Sequence, residues 1–202
     1  MSGYVVPNVV VRDSRGEKVM DLFTHLLGER IVYLGTPVDD GVAGTIIGQL
    51  LHLESVDPER PIDLYVNSPG GAMNAVLAVY DTMQLLRAPV ATTCVGEACG
   101  SAVALLAGGE AGRRAILPHS RVMLQQPKGG GRGAIPDLVV ETDEILRLRR
   151  TMEQVLSRHT GRSPEQVRLD SDRDHVLDAP AALAYGVVDT VLPGGTDPGP
   201  TG

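Results

Sequence analysis

Short β-branched runs alternate with longer amphipathic segments along this chain, and that alternation most restricts the folds open to it. Ile31-Val32-Tyr33-Leu34 reads as a buried strand and Val42 to Leu53 as a helix. Ile62-Asp63-Leu64-Tyr65-Val66 is the next strand, Ala72 to Leu86 the next helix, and Val90 to Val95 a third strand. A further helix is expected from about Gly100. Such βα alternation places helices against a largely parallel sheet, an α/β domain. Nothing repeats at a fixed period. Ahead of this region, Val19, Met20, Phe23, Leu26 and Leu27 recur at helical spacing and predict one helix.

The second half carries a longer signal. Pro136 suits a first helical turn, and the pattern runs to His159 before Thr160-Gly161 ends it. Ile145, Leu148, Met152, Val155 and Leu156 form its apolar stripe, while Asp143, Glu144, Arg147, Arg150 and Gln154 lie mostly elsewhere. A helix of about 24 residues, roughly 36 Å, is generous for a small domain. Ser163-Pro164-Glu165-Gln166 has the form of a capping box, and Asp178 before Ala179-Pro180 marks another helix start.

At 202 residues the chain suits one domain with a substantial core. Aromatics make up 3%, with one Phe and no Trp, so that core must rest on Val, Leu, Ile, Ala and Met. A net charge of −7 argues against nucleic acid as a partner, because a phosphate backbone favours a basic face. Arg147, Arg149 and Arg150 sit among acids and read as a solvated or inter-subunit face. No run approaches the roughly 20 apolar residues of a membrane span, and no signal peptide is visible at the start. Cys94 and Cys99 lack companions at zinc spacing and are expected as buried free thiols in a cytoplasmic protein; no metal and no cofactor are expected. The stretch Lys128-Gly129-Gly130-Gly131-Arg132-Gly133-Ala134 meets neither GxGxxG nor GKS/T spacing, so it is not read as a phosphate loop.

Several longer motifs fall in order: Asn67-Ser68-Pro69-Gly70-Gly71, Gly96-Glu97-Ala98-Cys99-Gly100-Ser101-Ala102 at a helix opening, and Leu117 to Pro127 closing a strand. With Leu177-Asp178-Ala179-Pro180 and Ala184 to Asp189, the chain resembles ClpP, the proteolytic subunit of the Clp protease, over about residues 4–192. The resemblance implies a ClpP/crotonase-like fold of repeated β-β-α units. It implies one domain over 1–192, an axial N-terminal loop at about 4–17, a handle at about 126–160, and a disordered tail at 193–202.

It also implies a site. The family's serine nucleophile falls at Gly100 and its histidine base at Gln125, while the orienting aspartate is retained as Asp174. Acyl transfer by such a triad needs an oxygen nucleophile and a base within reach. Glycine has no side chain, and a glutamine amide is not a useful base near neutral pH. Ser101 is an unlikely substitute nucleophile: one step along a helix turns the side chain by about 100°. It reads instead as a helix-start residue. The oxyanion hole, by resemblance, uses the N–H groups of Gly71 and Ser101, and Gln125 is expected to donate to Asp174. Asp172 and Arg173 would contact an opposite ring.

The partners implied are homologous ClpP subunits in heptameric rings, homo- or hetero-oligomeric, with unfolded polypeptide in the chamber. An AAA+ unfoldase would dock through a partner ring, since this chain keeps Tyr65 but has Asp63 and Ala115 where the family often places aromatics. The expected function is a catalytically silent subunit partnering an active paralogue. The rivals are an active serine endopeptidase using Ser101 or a rearranged site, and, more remotely, a crotonase-like acyl-CoA-binding protein.

Overall fold

Parallel strands must be joined by crossovers, and the apolar runs and helices of this chain supply them in strict succession. The computed structural model describes residues 6–13, 16–126 and 134–193. A hairpin of β1 (Asn8–Asp13) and β2 (Gly16–Asp21) leads into α1 (Leu22–Gly28). Then follow β3 (Ile31–Leu34), α2 (Asp40–Val56), β4 (Ile62–Ser68), α3 (Met73–Leu85), β5 (Val90–Cys99) and α4 (Ala102–Ala107). The remainder comprises β6 (Arg114–Ile116), β7 (Arg121–Leu124), α5 (Ile135–Thr160), α6 (Pro164–Asp170), β8 (His175–Leu177), α7 (Ala179–Tyr185) and β9 (Thr190–Val191).

The sheet runs β3-β4-β5-β6-β9, all parallel. β5 forks. Its first half, Thr92 to Cys94, pairs with β6, whereas Glu97 to Cys99 pairs with β7. The register against β4 shifts between Val66 and Ser68, a bulge that re-aims the end of β5. β8 lies antiparallel on β7. This is a mixed α/β architecture, a parallel sheet with helices, in keeping with the fold the resemblance implies. Along the strands one side-chain set, including Val32, Leu34, Leu64, Val66 and Cys94, is buried with α2, α3 and α4 in a single core. Among the described residues no helix is long and apolar enough to cross a membrane.

Two expectations are corrected. Val19 and Met20 belong to β2, where they pair with Val10 and Val9; the helix begins at Leu22, capped by Asp21 Oδ1 accepting from the Thr24 N–H at 3.0 Å. Cross-strand pairing overrides the local spacing. β5 also extends to Cys99 instead of stopping at Val95, so Gly96-Glu97-Ala98-Cys99 finishes a strand and the helix waits until Ala102.

The caps behave as their sequence suggests. Ser163 Oγ accepts from the Gln166 N–H at 3.2 Å and Asp178 Oδ1 from the Ala181 N–H at 2.9 Å. α5 runs 26 residues and stops at Gly161. Leu148, Val155 and Leu156 of its stripe are buried. Cys94 and Cys99 are free and buried, and burial pushes their thiols up to about 12 and about 11. Arg30, 4% exposed, donates to the carbonyls of Leu53, Asp57, Arg60 and Pro61, closing the end of α2. The expected axial turn at Ser14 and Arg15, the glycine-rich stretch at 127–133 and the tail at 194–202 lie outside the described residues.

Candidate functional site

Three chain segments meet where β4, β5 and β7 end. After β4, the buried Ser68 Oγ donates to the Thr36 carbonyl at 2.7 Å and accepts from the Gly70 N–H at 3.2 Å, which curls the chain. Gly71 then passes so close to Val38 that a Cβ would collide with the Val38 carbonyl oxygen; its φ of +154° adds to the demand for glycine. After β5, Gly100 takes φ +53° and joins the strand to α4, with its N–H on the Met123 carbonyl at 2.9 Å. A Cβ built on Gly100 would stand 3.4 Å from Gln125 Oε1, an ordinary contact, so positions 100 and 125 are neighbours. A side chain there would meet backbone strain rather than a wall.

Gln125 follows Leu124, and Leu124 pairs with His175 in the β7–β8 ladder. Asp174, next before His175, therefore comes opposite Gln125. The expected bond between them does not form. The Gln125 amide lies 3.6 Å from Met123 Sδ, a weak acceptor, and Asp174 is exposed with no hydrogen bond among the described residues. The thioether two residues back on its own strand holds the amide instead.

Ser101 also departs from expectation. It precedes α4 but makes no side-chain cap bond. Its Oγ instead accepts from the Gly71 N–H at 3.0 Å and donates to the Gly71 carbonyl at 3.1 Å. The Gly71 donor is thus already occupied by the hydroxyl of the residue expected to share the oxyanion role. Among the described residues no histidine lines this region: His159 Nε2 is 2.7 Å from Tyr80 Oη, and the His175 ring stacks edge-on against Tyr185.

A cavity of about 220 Å³ opens beside these residues, lined on the far side by Arg149, Met152, Glu153 and Leu156 of α5. Positions i, i+3, i+4 and i+7 share one helix face, which explains why all four reach it. Glu153, 4% exposed, accepts from Arg149 Nε at 2.9 Å and from Arg168 Nη2 at 2.9 Å. Arg149 Nη1 reaches Gln126 Oε1 at 3.3 Å, and Gln126 Nε2 donates to Asp172 Oδ1 at 2.6 Å. A continuous polar chain therefore ties α6 and α5 to the segment carrying Asp172, Arg173 and Asp174. Arg173 itself is exposed. Sequence reasoning placed Asp172 but missed Glu153; an acid four residues after Arg149 was the available signal.

The residues expected to form a docking pocket fall on one sheet face. Tyr33 pairs with Tyr65, Tyr65 with Thr93 and Thr93 with Ala115, a single row, and Asp63 lies two residues before Tyr65 on the same side. Tyr65 is half-buried, Asp63 exposed and Ala115 buried. Tyr33, 42% exposed, adds an aromatic that the sequence reading did not assign.

The sequence model described as Clp protease matches residues 14–194. The ATP-dependent Clp protease proteolytic subunit 1 of Nocardia farcinica is 58% identical over 193 residues, 95% of this chain and 98% of that protein. Proteolytic subunit 2 of Streptomyces avermitilis is 51% identical over 193 residues, covering 95% of this chain and 96% of its own length. Proteolytic subunit 4 of Rhodococcus jostii is 48% identical over 192 residues, again 95% of this chain and 99% of its own. Matched over nearly its whole length, with the βα order and the strand-turn-helix junction already described, the chain belongs to the Clp protease family.

Proposed function

We propose that this chain is a non-hydrolytic ClpP-type subunit, which builds a degradation chamber and binds peptide without cleaving it. One observation carries the reading. The two neighbouring positions at the mouth of the cleft, 100 and 125, hold a residue with no side chain and one with a neutral amide. The Ser101 hydroxyl is engaged with Gly71, and no histidine lines the cavity to activate it. Asp174 is the one triad member retained.

Its similarity to several numbered proteolytic subunits supports assembly with an active paralogue, in heptameric rings stacked through α5 and the Asp172-Arg173 segment. Asp63 and Ala115 weaken the face that would receive an AAA+ unfoldase, so docking would fall to the partner ring. In this role the chain works in the cytoplasm on unfolded polypeptide and needs no cofactor.

The test is turnover of a fluorogenic peptide and labelling by a serine-directed fluorophosphonate, on the purified chain alone and beside a catalytic paralogue. No turnover and no adduct on this chain are expected. An adduct on Ser101 would overturn the reading in favour of an active endopeptidase.

A further inference from the structure

The cavity beneath the cleft offers donors and no spare acceptor on its charged wall. Among the described residues Glu153 is its one lining carboxylate, and both oxygens are taken, by Arg149 and by Arg168. Gln126 spends its amide on Asp172 and its carbonyl oxygen on Arg149. Arg149 is different. Its Nε and Nη1 are bonded, but Nη2 has no partner among the described residues. Among those residues no buried side-chain nitrogen or oxygen is left unpaired, so Nη2 opens to solvent. Across the cavity the Gln125 amide has only a thioether at 3.6 Å. A ligand seated beside Nη2 is met there by a free donor, while the Gln125 side chain can serve as donor or acceptor.

Resting on the reading of this cleft as a peptide site, we infer that it selects a carboxylate, with Arg149 as the specificity-determining residue. The carboxylate is an acidic side chain or the free C-terminus of a peptide. The guanidinium is already oriented by Glu153 and Gln126, so little freedom is lost on binding, and its planar fork suits a carboxylate better than a neutral amide. A basic side chain finds no free carboxylate here, because both Glu153 oxygens are already engaged by Arg149 and Arg168.

Fluorescence anisotropy on the full-length chain tests this with one labelled peptide in four forms. Three are amidated at the C-terminus and carry Glu, Gln or Lys as the last residue; the fourth is the Gln peptide with a free C-terminus. The Glu or the free-carboxylate form is expected to bind about tenfold tighter than the amidated Gln form, the scale of one charge-assisted hydrogen bond, and which of the two does so identifies the source. Arg149→Met should bring the four within about twofold of one another, while Arg149→Lys should keep part of the preference. Equal affinities on the wild-type chain, or tightest binding of the Lys form, would overturn the inference alone. Failure of all four to bind would overturn the peptide-cleft reading and this inference with it.

Discussion

The two walls of the cleft are furnished on opposite terms. The rim, made by Gly71, Gly100, Ser101 and Gln125, keeps its backbone turns while its side chains carry no nucleophile–base pair. The α5 wall, Arg149 through Glu153 to Arg168, is knit together by paired charge and hydrogen bonds. The rim's geometry comes from strands pairing behind it and from glycines that let the chain pass Val38 and turn at position 100. The wall's geometry comes from side chains holding one another. A rim of this kind can change its side chains without losing its shape, whereas removing Glu153 from the wall leaves two guanidinium groups without their shared partner.

The largest effect should come from refilling the rim. On the proposed reading, Gly100→Ser combined with Gln125→His supplies a nucleophile and a base on the existing turns, and fluorophosphonate labelling at position 100 should rise at least about a hundredfold over the parent chain. The left-handed φ at position 100 will cost the serine roughly 1–2 kcal/mol of stability. A double variant that stays folded and silent would mean the frame itself has drifted, and the contrast between the walls would dissolve.

An intermediate effect is expected on the wall. Glu153→Ala leaves Arg149 and Arg168 facing each other, and urea unfolding should show a loss of about 2 kcal/mol. That is less than the roughly 3–5 of a fully buried pair, because the Arg168 side chain is 51% exposed. Glu153→Gln should cost less. No change in either variant would make the wall as dispensable as the rim side chains.

The smallest effect concerns Ser101. Ser101→Ala removes the hydroxyl from the Gly71 N–H, so amide hydrogen exchange at Gly71 should quicken several-fold while stability falls by only about 0.5–1 kcal/mol. Unchanged exchange at Gly71 would show that the hydroxyl is not what protects that amide.

Much of this architecture is legible before any coordinates. The strand runs at Ile31, Ile62 and Val90, the span of α5, and the caps at Ser163 and Asp178 all follow from local periodicity and short-range hydrogen bonding. That positions 71 and 101, and 100 and 125, are neighbours accords with the long motifs that singled them out. Illegible parts share a cause: each depends on a partner distant in the chain. The spacing of Val19 and Met20 fits a helix until Val9 and Val10 pair with them. β5 continues past Val95 because β7, more than twenty residues later, is there to receive Glu97 to Cys99. Gln125 is near Asp174 as expected, yet its amide lies by Met123, a competition among neighbours that spacing does not rank.

Residue identity alone determined that positions 100 and 125 hold no alcohol and no imidazole, because chemistry absent from a side chain cannot be supplied by folding. Tertiary structure alone decided that the Ser101 hydroxyl would rest on Gly71, thirty residues back, and that Glu153 would be buried between two guanidinium groups. Periodicity places a residue on a face. Only the packing of α5, α6 and the strand ends determines what that face meets.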